Sequence, residues 1–501
     1  MAMVKLALLV AIALASGCFD DRYHCTSDMQ CNLGEGGRCE VDGNCTVHDT
    51  RCPTLRRYAA HSGELTDQCF DDSVAPVNPC AGGQPPAKAE GCFADVCDRL
   101  PACCAVGWFD ACAQVAQETA SCNLRCDTRI AITATRSTTT EQWDARWNGD
   151  QWSFTARDDL AALQWVAPAP GDSEPRLCGA TAEELVIGDT HIPVPPGRSY
   201  GSITSIGFDR DRRDTIAATY NDGRNRLELW KLDKLTVHEQ GVPGTGGLTW
   251  GEADRDSYPD AIVKVGGSQF GFLYNVEDDT FQHSLLNQTA GSMAGGATPG
   301  APQVRSFDWL DINDDNKLDL AIFGAEVRMH TNQLGLGDPA ARQFDCDPPT
   351  AARECSMDTN EPNLEASSFA GAGLPVAGDA SIVFSLFPGR QVYRAKPDGS
   401  VAPFKFPGDT CSCVKTCTGG CPGPSCTCTY NCNACVPVLA FVARDVDGDH
   451  ALDLIAIDAK LQIFVAKAAN GYQWGGATSI PTAFPNTFFS VDVSVTGAPI
   501  P

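Results

Sequence analysis

The chain has 501 residues, with 63 acidic against 37 basic side chains and a formal charge of −26. That balance excludes nucleic acid as a partner, because such binding depends on neutralising phosphates with Lys and Arg. It suits a protein that holds cations or stays soluble by self-repulsion. Hydrophobic residues make up 43%, enough for a packed core, and the length accommodates several ordinary domains or one large repeat array.

In chain order, the first feature is an export leader. Lys5 precedes an apolar run from Leu6 to Leu14, and Ala15-Ser16-Gly17-Cys18 follows. The run is too short to span a bilayer stably, so residues 1–17 read as a signal peptide. The 26 cysteines agree, since such density belongs to an oxidising compartment. The end of the leader resembles a bacterial lipoprotein signal. That resemblance implies lipidation at Cys18 and an outer-membrane or cell-surface location. Ala13-Leu14-Ala15 offers an ordinary cleavage site instead, which would give a periplasmic or secreted protein. Cysteine parity bears on the choice: if Cys18 is lipidated, an odd number of thiols remains, with Cys178 the natural odd one out.

Residues 18–126 form a cysteine-rich region to be held by disulfides rather than by a large core. Within it, Trp108, Cys112, Val115 and Ala116 fall at helical spacing behind Cys103-Cys104. The segment Gly91 to Cys122 resembles a short disulfide-bonded helical motif of secreted proteins from environmental bacteria.

From Thr128 onward the cysteines nearly vanish and a repeat appears. Its clearest copy has Asp445, Asp447, Asp449 and Asp453 at positions 1, 3, 5 and 9 of a loop that leads into the apolar run Leu454 to Ile457. Asp311, Asn313, Asp315 and Asp319 form a second copy, and Glu252, Asp254, Asp256 and Asp260 a third. Asp209, Asp211 and Asp214 make a shorter fourth. Asp159 and Asp379 keep only the final Asp and the run after it. Each run is followed by a turn of Gly, Asn or Asp and a second run, which is a β-hairpin pattern. Alternating carboxylates on a tight loop turn oxygens onto one centre, as a hard cation requires. The final Asp recurs at intervals of roughly 50 residues, the size of a propeller blade. The longest interval contains an eight-cysteine insertion at residues 411–435.

The pattern Asp-x-Asp/Asn-x-Asp-x-x-x-Asp followed by a hairpin resembles the FG-GAP or VCBS repeat of integrin-α-like β-propellers. The resemblance covers roughly residues 150–490 and implies calcium held by positions 1, 3, 5 and 9. The family often has Gly at position 6, where His450, Asn316 and Ser257 stand here. The expected fold is mainly β: a six- to seven-bladed β-propeller over residues 127–501, seven preferred, with an N-terminal disulfide-rich small domain. Thr128 to Thr135 and Thr487 to Val495 both alternate as strands, and one completes a blade begun at the other end of the chain.

Other motifs carry less. Gly197-Arg198-Ser199-Tyr200-Gly201 has the spacing of a hydrolase nucleophile elbow, but Pro195-Pro196 precedes it and a strand-like run follows. The eight histidines show no metal-ligand spacing. The expected function is therefore non-enzymatic: a cell-envelope or cell-surface binding or adhesion-type protein, stabilised by structural calcium, with a protein or glycan ligand. Ligand-bridging calcium and empty acidic turns are the alternatives for the loops. The alternative function is a secreted propeller enzyme, a lyase or hydrolase acting on polysaccharide or phospholipid.

Overall fold

The computed structural model describes residues 31, 37–39, 44–52, 56–62, 65–69, 78–82, 91–105, 107–136, 139–149, 151–168, 174–206, 215–232, 235–251, 259–266, 269–277, 280–286, 306–311, 317–323, 327–332, 344–345, 368–374, 381–386, 391–396, 401–404, 413–418, 427–432, 436–483 and 490–496. The leader and Cys18 lie outside them. The chain divides into two compact units, residues 1–76 with 86–89, and residues 77–85 with 90–501. The division falls inside the cysteine-rich region, so the helical segment after residue 90 belongs to the same unit as the strands that follow.

The smaller unit is a three-stranded antiparallel sheet of Arg38–Cys39, Cys45–His48 and Arg56–Tyr58. Its apolar cluster is only Cys31, Cys45, Val47 and Ala59. So small a core needs staples, and Cys31–Cys45 and Cys52–Cys69 supply them.

The larger unit is a ring of antiparallel sheets. Six blades are built from consecutive strands and begin at Ala161–Val166, Ser199–Ile206, Leu248–Gly251, Ser306–Leu310, Ser368–Leu374 and Val438–Arg444. A closing sheet is composite: the C-terminal strand Ser490–Thr496 pairs with Thr128–Arg136, which continues through Thr139–Trp147 to Trp152–Ala156. The first strand of each blade touches the first strand of the next, and Ser490–Thr496 joins the last to the first. This is the expected propeller, closed by both ends of the chain.

Each sheet packs on two neighbours, so its central strands are buried on both faces. Val438–Arg444 and Asp453–Asp458 are buried at every position. Ile130, Ile132 and Trp143 of the closing sheet share one cluster with Val442, Ile455 and Ile463 of the sixth blade. Close approach also fixes small residues: a Cβ on Gly251 would sit 2.6 Å from the Trp309 ring of the next blade. Hairpin turns follow their side chains. Asn221 Oδ1 accepts the Gly223 N–H at 2.9 Å, and Asp458 Oδ1 accepts the N–H groups of Lys460 and Gln462.

One register expectation is corrected. In the blades that carry the motif, the Asp-rich loop joins the first strand to the second, as at Asp319–Phe323 and Asp453–Asp458. Asp159 instead precedes a first strand, Ala161–Val166, and pairs with Arg157. The second strand of that blade is Arg176–Ala180, which no such Asp leads. The short spacing between Asp159 and an apolar run mimicked the repeat in the wrong frame.

The cysteine insertion contains two strands, Cys413–Thr418 and Thr427–Cys432, that pair only with each other. Between residues 90 and 126, helices Cys92–Arg99 (α1), Ala102–Ala105 (α2) and Asp110–Glu118 (α3) form a module stapled by Cys92–Cys122, Cys97–Cys104 and Cys103–Cys112, and Cys80–Cys126 ties it further. Val96, Trp108, Val115 and Ala116 of the module join one apolar cluster with Leu229, Trp250 and Leu320 of the second to fourth blades.

Ile132 is fully buried where the closing sheet meets the sixth blade. Ile132→Ala is expected to lower unfolding free energy by about 2–5 kcal/mol, read by chemical denaturation. The exposed Thr140→Ala in the same sheet should stay within about 0.5 kcal/mol.

Candidate metal centre and the helix seated on it

The loop from Asp445 to Leu452 winds around its own carboxylates. Asp445 Oδ1 accepts the N–H groups of Asp447 (3.3 Å) and Gly448 (2.7 Å), and its Oδ2 accepts that of His450 (2.9 Å). Asp453 accepts the Val446 N–H on Oδ2 at 3.0 Å and the Ala468 N–H on Oδ1 at 2.7 Å. Gly448 and His450 both take the left-handed backbone, at φ 80° and 62°, and this lets the loop turn.

Three of the four predicted carboxylates converge. Asp445, Asp447 and Asp453 each offer an oxygen, and the three atoms lie within 4.8 Å of one another. The fourth, Asp449, does not join them: its Oδ1 accepts the Ala451 N–H at 3.0 Å as a turn. Burial pushes the Asp445 carboxyl up, and pushes Asp453 up to about 7, against the backbone N–H groups that favour its charged form. Lys467 Nζ lies 3.1 Å from Asp447 Oδ2. Asp447 Oδ1 is buried and finds no hydrogen-bond partner among the described residues. An all-oxygen set with one buried, unserved carboxylate oxygen fits a hard cation such as calcium. The bonded oxygens of Asp445 and Asp453 keep lone pairs for it.

Of the other predicted loops, Asp311 is half-buried, while Asp319 and Asp260 are fully buried at the start of second strands, as Asp453 is. Asn313, Asp315, Glu252, Asp254, Asp256, Asp209, Asp211 and Asp214 lie outside the described residues. Asp453 shows what the final Asp does in any case: it ties the loop's second residue to the turn beyond the next hairpin strand.

Sequence reasoning missed what covers the loop. Helix α3 lays Gln117 against it and Asp110 against the preceding Arg444. Gln117 Oε1 accepts the Asp445 N–H at 2.9 Å, and the Gln117 carbonyl accepts His450 Nδ1–H at 3.2 Å. Arg444 Nη2 donates to Asp110 Oδ1, and Gln114 Nε2 donates to Asp110 Oδ2. On the other side, Trp147 Nε1 of the closing sheet donates to the Val446 carbonyl at 3.1 Å. The only trace in the sequence is the spacing of Asp110, Gln114 and Gln117 along one face of a helix. Polarity there reads as solvent exposure, yet Ala111 to Gln117 are all buried.

A second polar cluster lies where the second blade packs on the first. Arg198 bonds Glu228 (2.5 Å) and Glu239 (2.6 Å) and lies 4.1 Å over the Tyr220 ring, while Tyr200 donates to Glu228 at 2.7 Å. Burial pushes both tyrosines up, Tyr220 to about 12. They stay protonated at neutral pH, and the cluster ties the strands of the second blade to one another. Ser199 of the Gly-x-Ser-x-Gly motif begins a strand here, not a strand-to-helix elbow.

No protein family matches the chain, and no curated protein matches it. Among solved structures it is similar to a Lactobacillus plantarum protein (11% identity, TM-score 0.39, covering 74% of this chain and 99% of that one). It is also similar to virginiamycin B lyase from Staphylococcus aureus (12%, 0.36, 67% and 95%) and to BBS1N in complex with ARL6DN (12%, 0.37, 65% and 86%). Likeness at this level speaks to the fold alone.

Glu118, at the C-terminus of helix α3, gives the module a pH dependence. Burial raises its carboxyl to about 7 and outweighs the Arg99 guanidinium 3.2 Å away. A raised folded-state value means stability that is present below about 4.5 and is lost as pH rises toward 7. Thermal midpoints measured from pH 4 to 8 should fall over that window, and Glu118→Gln should flatten the fall.

Proposed function

We propose that the protein is a non-enzymatic binding protein of the cell envelope, exported and held there through Cys18. In this reading the propeller is a calcium-stabilised platform for a protein ligand. The observation that carries it is the cysteine hairpin between the fifth and sixth blades. Cys413–Thr418 and Thr427–Cys432 form a sheet of their own and add nothing to the hydrogen bonding of any blade. Their register sets Cys413 opposite Cys432 and Cys417 opposite Cys428. A hairpin outside the hydrogen bonding of the blades is placed to serve recognition without disturbing the ring. In the binding test, cross-linking on the native envelope should capture a protein partner with the intact chain. A chain lacking residues 411–435 should fold with the same thermal midpoint and lose the partner. Equal capture by both would overturn the reading.

Calcium belongs to the same reading. Asp445, Asp447 and Asp453 would hold it, and it would neutralise three crowded carboxylates at a blade corner. An ion bound only by the folded chain stabilises it by about 2.7 kcal/mol at a hundredfold excess over its Kd. Calcium should therefore raise the thermal midpoint relative to chelator, and Asp447→Asn should abolish the shift. Identical midpoints with and without calcium would rule the ion out.

A further inference from the structure

We infer that helix α3 is a latch on the sixth blade's carboxylate loop: cation binding by Asp445, Asp447 and Asp453 tightens the seat of the disulfide-bonded module, and loss of the cation loosens it. The inference rests on the calcium reading above.

Gln117 is 1% exposed and touches the loop twice, through Oε1 to the Asp445 N–H and through its carbonyl to the His450 ring. Both loop donors are aimed by the winding of the loop, because Asp445 itself takes the N–H groups of Asp447, Gly448 and His450. Three carboxylates within 4.8 Å of one another repel when charged and are drawn together by a cation. The loop conformation that meets the helix is thus the one a cation favours. Asp447 Oδ1 is buried and without a partner among the described residues, an acceptor left for the cation.

His450 supports the inference from another side. A glycine would take φ 62° with less strain. The Gln117 carbonyl is one of the last four of its helix and has no donor within it. The imidazole provides that donor, so the residue at this position serves the helix as well as the turn. Arg444 adds a second tie, to Asp110 two turns earlier on the same face.

Coupling between two sites is reciprocal. Calcium should slow amide exchange in residues 110–118, and the helix contacts should tighten calcium by the same factor, on the order of 5- to 150-fold. The test pairs calorimetric calcium titration with hydrogen exchange of the full chain. In the wild type, calcium is expected to bind and to slow exchange in the helix. Gln117→Ala and His450→Gly should still bind calcium, more weakly, with helix exchange no longer responding. Asp447→Asn should bind none and exchange like the chelated wild type. Calcium binding with unchanged helix exchange in the wild type would overturn the latch while sparing the calcium reading. No binding at all would remove both.

Discussion

The structure depends on a single strand pairing, that of Ser490–Thr496 with Thr128–Arg136. A propeller blade has two apolar faces and needs a neighbour on each. Radial repetition leaves each blade only short, protected edges. Without the C-terminal strand, the closing sheet would lose its innermost member, and the sixth and first blades would each lose part of their cover. The polar cross-ties at the seam are consistent with this. Trp165 donates its backbone N–H to Ser494 Oγ, Trp143 Nε1 donates to the Pro481 carbonyl, and Trp147 reaches the Asp445 loop.

Within the closed ring, the Asp loops are corners where the chain leaves a first strand and enters a second. Their carboxylates do two kinds of work. Asp453, and by position Asp260 and Asp319, sit fully buried at the strand start. At Asp453 the carboxylate is bonded to backbone whether or not a cation is present. Asp447 has no such backbone duty, and its free oxygen is the strongest pointer to an ion. The same loop that stiffens the corner also meets the helical module, so one short segment joins the blade, the closing sheet and the cysteine-stapled helices.

Much of this architecture was legible in the sequence, and for identifiable reasons. Apolar runs after Asp214, Asp260, Asp319 and Asp453 set the second strand of four blades, because carboxylate spacing and strand alternation are both local patterns. The C-terminal alternation at Ser490–Thr496 was legible as a strand in need of a partner. Asp159 misled because a single Asp before an apolar run carries no frame. That Asp449 accepts the Ala451 N–H was not legible, because position in a loop does not fix which way a side chain turns. The seat of helix α3 was beyond reach. Gln117 and Arg444 are polar, and nothing local in their neighbourhoods says that they are 1% exposed against segments more than three hundred residues away.

That separation has a kinetic meaning. The Asp110–Arg444 contact spans 334 residues and the Trp143–Pro481 contact 338. The closing sheet is made early and waits for the last blade and the final strand, and the polar ties of the module to Arg444 and Asp445 wait with it. Such long loops are slow to close. A nascent chain therefore holds the apolar face of its closing sheet in reserve until its last residues emerge. Given an oxidant to take up the two electrons of each bond, Cys80–Cys126 and its neighbours can close as soon as residue 126 has emerged, and so shape the module before the blades it packs on are made.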